Sequence, residues 1–377
     1  MSEQLKWKSV VARRMARHHL AVPAASSPAD VVRAMCGAHA QVLSAGEVSV
    51  ALRLDGATRT DVQRALWEDH SVVKTFGPRG TVHLLPADDL PLWTGALSAL
   101  PKGPAAPAYM RLADDQRDEV IAAIGAALAD DDLTVDELSE QVIERTGSWV
   151  GELVMPAFQV FWPRWRQVIP DAANAGMLAY GPNRGRKVTY SNPHRFTPFQ
   201  PMDGEEALSA LLDRYLRSYG PATPEQFAKW LSTSTAFVRN LFDGLPEVDL
   251  EGSRAWLAEG DTSMTDKPAT GVRLLPYFDA YGVGSHPRDL LFPGRASTRA
   301  LAGGQAGNYP LLLVDGIVAG VWHQRRSGRK LQVTVEPLST LSPTRLRALD
   351  AEVDRLGHIF DASPVLTIGP VETGPHA

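Results

Sequence analysis

The run Ser71-Val-Val-Lys-Thr-Phe-Gly77-Pro78-Arg79-Gly80-Thr-Val-His-Leu-Leu85 decides how this chain is read. Two β-prone arms flank a Gly-Pro-Arg-Gly segment that favours a turn, so a hairpin is predicted. Just upstream, Thr60 with Gln63 three positions on marks a helix start, and Val62, Ala65 and Leu66 give that helix an apolar face. A helix leading into a two-stranded wing is the unit this implies.

The unit recurs. Thr134 with Glu137 opens a helical run through Leu138, Val142 and Ile143, and a second hairpin follows over 176–190 with Arg184, Arg186 and Lys187 near its tip. Thr223-Pro224 with Gln226 opens a helix bearing Phe227, Trp230 and Leu231, and Glu247 to Leu257 reads as a third hairpin. A fourth helix start, Ser27-Pro28 with Asp30, lies near the N-terminus. Helices followed by wings suggest tandem winged helix-turn-helix modules, with unrelated α+β modules carrying ordinary hairpins as the alternative.

Beyond about residue 271 strand signals dominate. Val272 to Tyr281 reads as one strand, and Leu311 to Trp322 folds back on itself at Asp315-Gly316, a two-residue hairpin signal. Lys330 to Glu336 is a further strand, a helix spans roughly Thr344 to His358, and the tail after Val371 is expected to be loose. The expected class is therefore α+β: tandem winged helices and a β-rich, barrel-like C-terminal part. The boundaries fall at 1–110, 111–200, 201–265 and 266–377.

The composition bounds the function. The chain has 377 residues, 44% hydrophobic and 21% charged, the balance of a soluble globular protein of several modules. No run of eighteen apolar residues occurs and no signal peptide is read at Met1, so no membrane partner is expected. One cysteine, Cys36, excludes an intrachain disulfide and a cysteine zinc site, and suggests a reducing cytoplasm. The formal charge of −5 requires any nucleic-acid surface to concentrate cations locally.

One such concentration is the tip His323-Gln324-Arg325-Arg326-Ser327-Gly328-Arg329-Lys330, a basic ribbon able to clamp phosphates or simply a solvated turn. Arg13 and Arg17 give a weaker patch on a helix that ends in His18-His19. Those adjacent histidines are badly placed for one metal. Gly303-Gly304-Gln-Ala-Gly307 lacks the Lys-Ser/Thr helix of a phosphate cradle, so no metal and no organic cofactor is expected. Trp162-Pro-Arg-Trp165 reads as a core or interdomain aromatic cluster.

Within the run Ala34 to Gln41, the tripeptide His39-Ala40-Gln41 sets two polar groups two positions apart. On a helix they diverge by about 200°; on an extended segment they face the same way. Joint action therefore requires the helix begun at Pro28 to end near Gly37; otherwise the pair is a solvated edge.

These stretches, with Arg79-Gly80-Thr81-Val82-His83-Leu84, Leu275-Pro276-Tyr277-Phe278-Asp279 and Leu313 to Trp322 in this order, resemble the AlkZ/YcaQ-type winged-helix DNA glycosylases over most of the length. The resemblance implies a concave DNA channel and a catalytic Gln-x-Gln or Gln-x-Asp motif, here His39-Ala40-Gln41. It is similar to a His-x-Gln branch associated with bulky natural-product adducts of the hedamycin kind. Gln41 carries over directly, whereas His39 replaces an amide with an imidazole.

The implied substrate is double-stranded DNA carrying bulky N7-alkylguanine, interstrand crosslinks among the candidates, and the implied benefit is self-resistance or repair. Arg325, Arg326, Arg329, Lys330, Arg184, Arg186, Lys187 and Arg79 are the candidate DNA contacts. A monofunctional enzyme is expected, since no lysine stands out as a Schiff-base nucleophile, and a monomer, since one lesion has no two-fold axis. A non-enzymatic winged-helix regulator and a drug-sequestering protein are the competing readings.

Overall fold

Helix starts follow the hydroxyl signals closely. In the computed structural model, which describes residues 3–103, 107–157, 159–265 and 267–376, Ser27 caps the helix Pro28–Ala34 through the backbone N–H of Asp30. Thr134 does the same for Val135–Thr146 through Glu137, and Thr223 for Pro224–Leu231 through Gln226. The remaining start is displaced. The helix Arg59–Trp67 begins one residue before Thr60, and Thr58 hydrogen bonds Asp61 through both its N–H and its hydroxyl. A threonine at either 58 or 60 satisfies the local pattern; the Asp61 carboxylate selects the first.

The three hairpins form as read. Val72–Phe76 pairs antiparallel with Val82–Pro86, Ala179–Tyr180 with Thr189–Ser191, and Glu247–Leu250 with Ser253–Trp256. The last gains a parallel third strand, Glu3–Leu5, too short to signal itself in sequence. Overall the chain is a mixed α+β protein, 43% helix and 21% strand.

Two compact units divide the chain. One comprises residues 66–211 and the other comprises 1–65 with 212–377. The core of residues 66–211 gathers Val120, Ile124, Leu138, Val142, Trp165, Val168 and Leu178. Trp165 is fully buried with its indole N–H on the Ser139 hydroxyl, whereas Trp162 is exposed beneath the Arg166 guanidinium, so the Trp-Pro-Arg-Trp run splits between core and surface.

The other unit is built on a five-stranded sheet in the order Val272–Leu275, Leu311–Val314, Ile317–Ser327, Lys330–Pro337, Ser363–Ile368. Four strands form an antiparallel meander; the fifth returns parallel to the fourth after the helix Pro343–Ile359. The sheet is open, not barrel-like, because its first and last strands lie at opposite edges. Asp315 and Gly316 both take positive φ, 53° and 79°, as a type I′ hairpin demands. The strand expected over 272–281 stops at Leu275: Pro276 cannot donate to a ladder, and Asp279 caps a short helix, Ala280–Gly284.

The helix Trp7–Arg17 lays Val11 and Met15 into the core of this sheet with Tyr281, Leu311, Val318 and Val321. Its arginines are structural. Arg13 is buried on Asp261 at 2.7 Å, and Arg17 binds the other oxygen of the same carboxylate. Arg14 reaches the backbone oxygens of His286 and Pro221. The C-terminal tail is anchored at Val371 and again at His376, whose N–H donates to the Asn308 carbonyl, while residues 372–375 between them are exposed. Val371 is buried, its N–H donates to Glu336, and its carbonyl accepts from Arg299.

Burial, with Arg53 nearby, pushes His18 down to about 3. Burial beside Arg288 and Arg14 does the same to His286. An unfolded imidazole titrates at about 6.5. As pH falls from there toward 3 the unfolded chain takes up protons that the folded one refuses, so stability falls with pH in this window. The thermal midpoint is expected to drop between pH 7 and 4 in differential scanning calorimetry, and His18→Gln should flatten that dependence.

Candidate active site

The helix Pro28–Ala34 ends four residues short of His39, and the reason is local. Cys36 and Gly37 both adopt positive φ, 54° and 91°, which turns the chain out of the helix and into the extended pair Ala38–His39. Gln41 then lies in the short link before the helix Leu43–Ala51. The breaker expected at Gly37 is therefore present; the motif is not helical, with His39 extended and Gln41 at the bend after it.

His39 is half-buried and Gln41 exposed. The His39 imidazole stacks on the Phe278 ring, with centroids 4.6 Å apart and planes 29° apart. Beneath it, the helix Leu43–Ala51 approaches so closely that a Cβ on Gly46 would lie 3.0 Å from the His39 carbonyl oxygen. The backbone of the motif is thus held from below while Gln41 faces solvent.

The support for this segment is a buried polar network. Arg53 and Asp279 form a two-pronged pair at 2.9 and 2.8 Å with both side chains fully buried. Ser49 donates its hydroxyl to the same carboxylate at 2.6 Å, and Asp279 accepts the backbone N–H of Tyr281. Burial alone would raise the Asp279 carboxyl, but Arg53 and these donors outweigh it and hold it below its ordinary value. On the other side, Tyr219 donates its hydroxyl to the Met35 carbonyl at 2.7 Å and Ser218 donates to Ala34, fixing the end of the helix that precedes the motif.

Candidate DNA-contacting cations fall into two groups. Arg325, Arg326, Arg329 and Lys330 all lie exposed at the tip of the hairpin Ile317–Ser327/Lys330–Pro337, whose turn uses Gly328 at φ 58°. The Arg326 Nε donates to the Gly328 carbonyl, and the Arg329 carbonyl accepts from Ser363. In residues 66–211, Arg184 pairs with Glu137 and the Asp132 carbonyl, and Lys187 pairs with Asp136 at 2.9 Å. These are exposed pairs, screened by solvent, which a phosphate can displace. Arg186 is exposed and Arg79 half-exposed with φ 64°.

Among the described residues no cluster of three or more His, Cys, Asp or Glu is arranged to hold a metal. No helix among them is long and apolar enough to cross a membrane. Sequence reading missed Arg53, Ser49 and Tyr219, which carry no motif of their own. Phe278 and Asp279 stood in the Leu-Pro-Tyr-Phe-Asp stretch without an assigned role.

Comparisons with known proteins converge on one family. The family model described as DNA glycosylase AlkZ-like matches residues 32–359. An interstrand DNA cross-link repair glycosylase of Streptomyces sahachiroi is 33% identical over 345 residues, which is 84% of this chain and 87% of that protein. The solved structure of Streptomyces sahachiroi DNA glycosylase AlkZ superposes with a TM-score of 0.82 at 31% identity, covering 97% of this chain and all of that one.

Removing one partner of a buried ion pair leaves a bare charge and costs about 3–5 kcal/mol. Asp279→Ala is therefore expected to lower the free energy of urea unfolding by that amount. Arg53→Met with Asp279→Leu, which removes both charges, should recover much of the loss.

Proposed function

Because this chain belongs to the AlkZ-like DNA glycosylases, we propose that it hydrolyses the N-glycosidic bond of bulky N7-alkylguanine in duplex DNA, interstrand crosslinks included. The reading adds a substrate class to the glycosylase activity of the family. It makes His39 and Gln41 the catalytic pair.

The observation that carries the proposal is the placing of a half-buried, stacked His39 at the end of a short strand and a solvent-facing Gln41 two residues on, in the bend that follows it. A guanine alkylated at N7 is cationic, so when its bond to C1′ breaks the electrons return to the ring and it leaves neutral. No acid is needed. What remains is to bring water to the sugar carbon as positive charge grows there. The Gln41 amide has no useful basicity, but its oxygen can accept a hydrogen bond from that water and fix its direction. The neutral imidazole of His39 can accept the proton as the new C1′–O bond forms, since a free imidazole titrates at about 6.5. Oriented dipoles close to a growing oxocarbenium charge lower its energy without reorganising.

The basic hairpin tip at Arg325, Arg326, Arg329 and Lys330 is proposed to engage the phosphate backbone, with Arg184, Arg186, Lys187 and Arg79 as further contacts. Counterion release from the phosphates supplies affinity that does not depend on sequence. On the same proposal the three hairpins are wings of winged-helix modules divided near 110, 200 and 265, lining a concave channel. A bulky adduct is then read in the open rather than in a snug pocket. The protein acts as a cytoplasmic monomer, without metal or organic cofactor. That the Streptomyces sahachiroi relative is a DNA cross-link repair glycosylase favours this enzyme over a regulator that only binds DNA.

Duplex carrying a bulky N7-alkylguanine, incubated with the protein and then treated with base, should break at abasic sites. His39→Ala and Gln41→Ala should each abolish breakage while binding to the same duplex is retained. Undiminished breakage by both variants would overturn the assignment. For the double variant Arg325→Ala/Arg326→Ala, the dependence of log K on log salt should become shallower by about 2, the value for two lost phosphate contacts.

A further inference from the structure

Phe278 occupies a conformation that a side chain rarely adopts, φ 55°, and it does so against His39. Such a backbone persists only when its surroundings over-determine it. Here they do. The Phe278 N–H donates to the Gly307 carbonyl at 2.8 Å, and a Cβ on Gly307 would collide with the Phe278 ring at 2.8 Å, so residue 307 leaves the space the ring needs. The next residue, Asp279, is the carboxylate locked on Arg53. The ring is therefore aimed from its own backbone outward.

A second imidazole, that of His376, also meets that ring. The His376 imidazole packs edge-on against Phe278 at 5.4 Å and 77°, and against Tyr277 at 5.3 Å and 63°. Its backbone N–H donates to the Asn308 carbonyl at 2.8 Å, one residue beyond the glycine that receives Phe278. The tail reaches this point from Val371, which is pinned by Arg299 and Glu336. Nothing in the sheet or its core requires residues 372–376 to return to the 277–278 loop. Their aromatic contacts are all with that loop.

We propose that Phe278 is a positioning residue for His39, and that His376 braces Phe278. The arrangement makes the tail part of the active-site architecture. It rests on the reading of His39 as catalytic. A stacked imidazole has one free rotation fewer, so its nitrogen is held toward the incoming water instead of sampling solvent. Misplacing a reacting group slightly carries a large kinetic cost, and the stack guards against that.

The test separates the stack from the catalytic assignment. In the full-length protein with isotope-labelled histidine, the His39 ring protons, assigned by their absence in His39→Asn, should lie upfield because Phe278 stacks on them. Phe278→Leu should return them downfield, and His376→Ala should shift them part of the way. Single-turnover excision should fall about tenfold in Phe278→Leu and roughly threefold in His376→Ala with duplex affinity unchanged, and Phe278→Tyr should restore it. His39 resonances unmoved in both variants would overturn the proposal. So would an equal loss of affinity and rate. If the resonances move while His39→Ala still excises at full rate, the stack stands and the catalytic role of His39 fails.

Discussion

A guanidinium and a carboxylate buried out of reach of water, Arg53 on one side and Asp279 on the other, tie together segments more than two hundred residues apart. Each ion alone would be costly to bury, and their attraction offsets that cost only with every lone pair satisfied. The carboxylate meets the condition, whereas the guanidinium does so at its two terminal nitrogens and leaves its buried Nε–H without a hydrogen-bond partner. Ser49 and the Tyr281 N–H complete the carboxylate, and the Ser49 carbonyl takes a further guanidinium hydrogen. Because Asp279 follows Phe278 directly, and Ser49 lies in the helix beneath the His39 backbone, the pair fixes both the ring on which the imidazole stacks and the helix under the motif. A hydrophobic pair would hold the segments together but would not specify rotation about them; the two-pronged geometry does.

The same logic explains the buried histidine and tyrosines around the pair. His18 is kept neutral by burial near Arg53, with a ring nitrogen 3.2 Å from the Ser218 carbonyl and its ring edge-on to Tyr219 and Tyr281. Tyr219 then fixes the Met35 carbonyl at the point where the helix gives way to the motif. Cation, anion, neutral imidazole and phenol are thus layered beneath a segment that is buried at Met35, Ala38 and Ala40 and reaches solvent at Gln41.

What was legible in the sequence follows from the range of the forces involved. Capping is decided within four residues, so Ser27, Thr134 and Thr223 announced their helices, and the one displaced start, Thr58 for Thr60, involved two equivalent hydroxyls two apart. Hairpins with glycine at the turn were equally local, as at Asp315-Gly316. The strand Glu3–Leu5 was not, since its partner lies at Val248 to Leu250. The open edge of the C-terminal sheet was invisible for the same reason: a barrel and a sheet share every local signal and differ only in which strands meet last. At the motif the sequence showed the polar pair and the helix breaker at Gly37. It did not show that Phe278 would supply the wall of the site, because stacking depends on a backbone angle fixed by Gly307 and Asp279 from elsewhere.

Charge placement completes the argument. A protein of net charge −5 approaches a polyanion against its own average field, so attraction must come from local excess. The N-terminal arginines do not provide it: Arg13 and Arg17 share Asp261, and Arg14 is sealed among backbone carbonyls. At the exposed tip Arg325 and Arg326 stand opposite Gln332 and Leu331, and Arg329 borders a cavity that Asp354 and Asp361 also line. A cation whose partner is water gives up little on meeting a phosphate. One already paired must first be released. Arginines equally conspicuous in the sequence thus hold the fold at one end of the chain and lie exposed on a hairpin tip at the other.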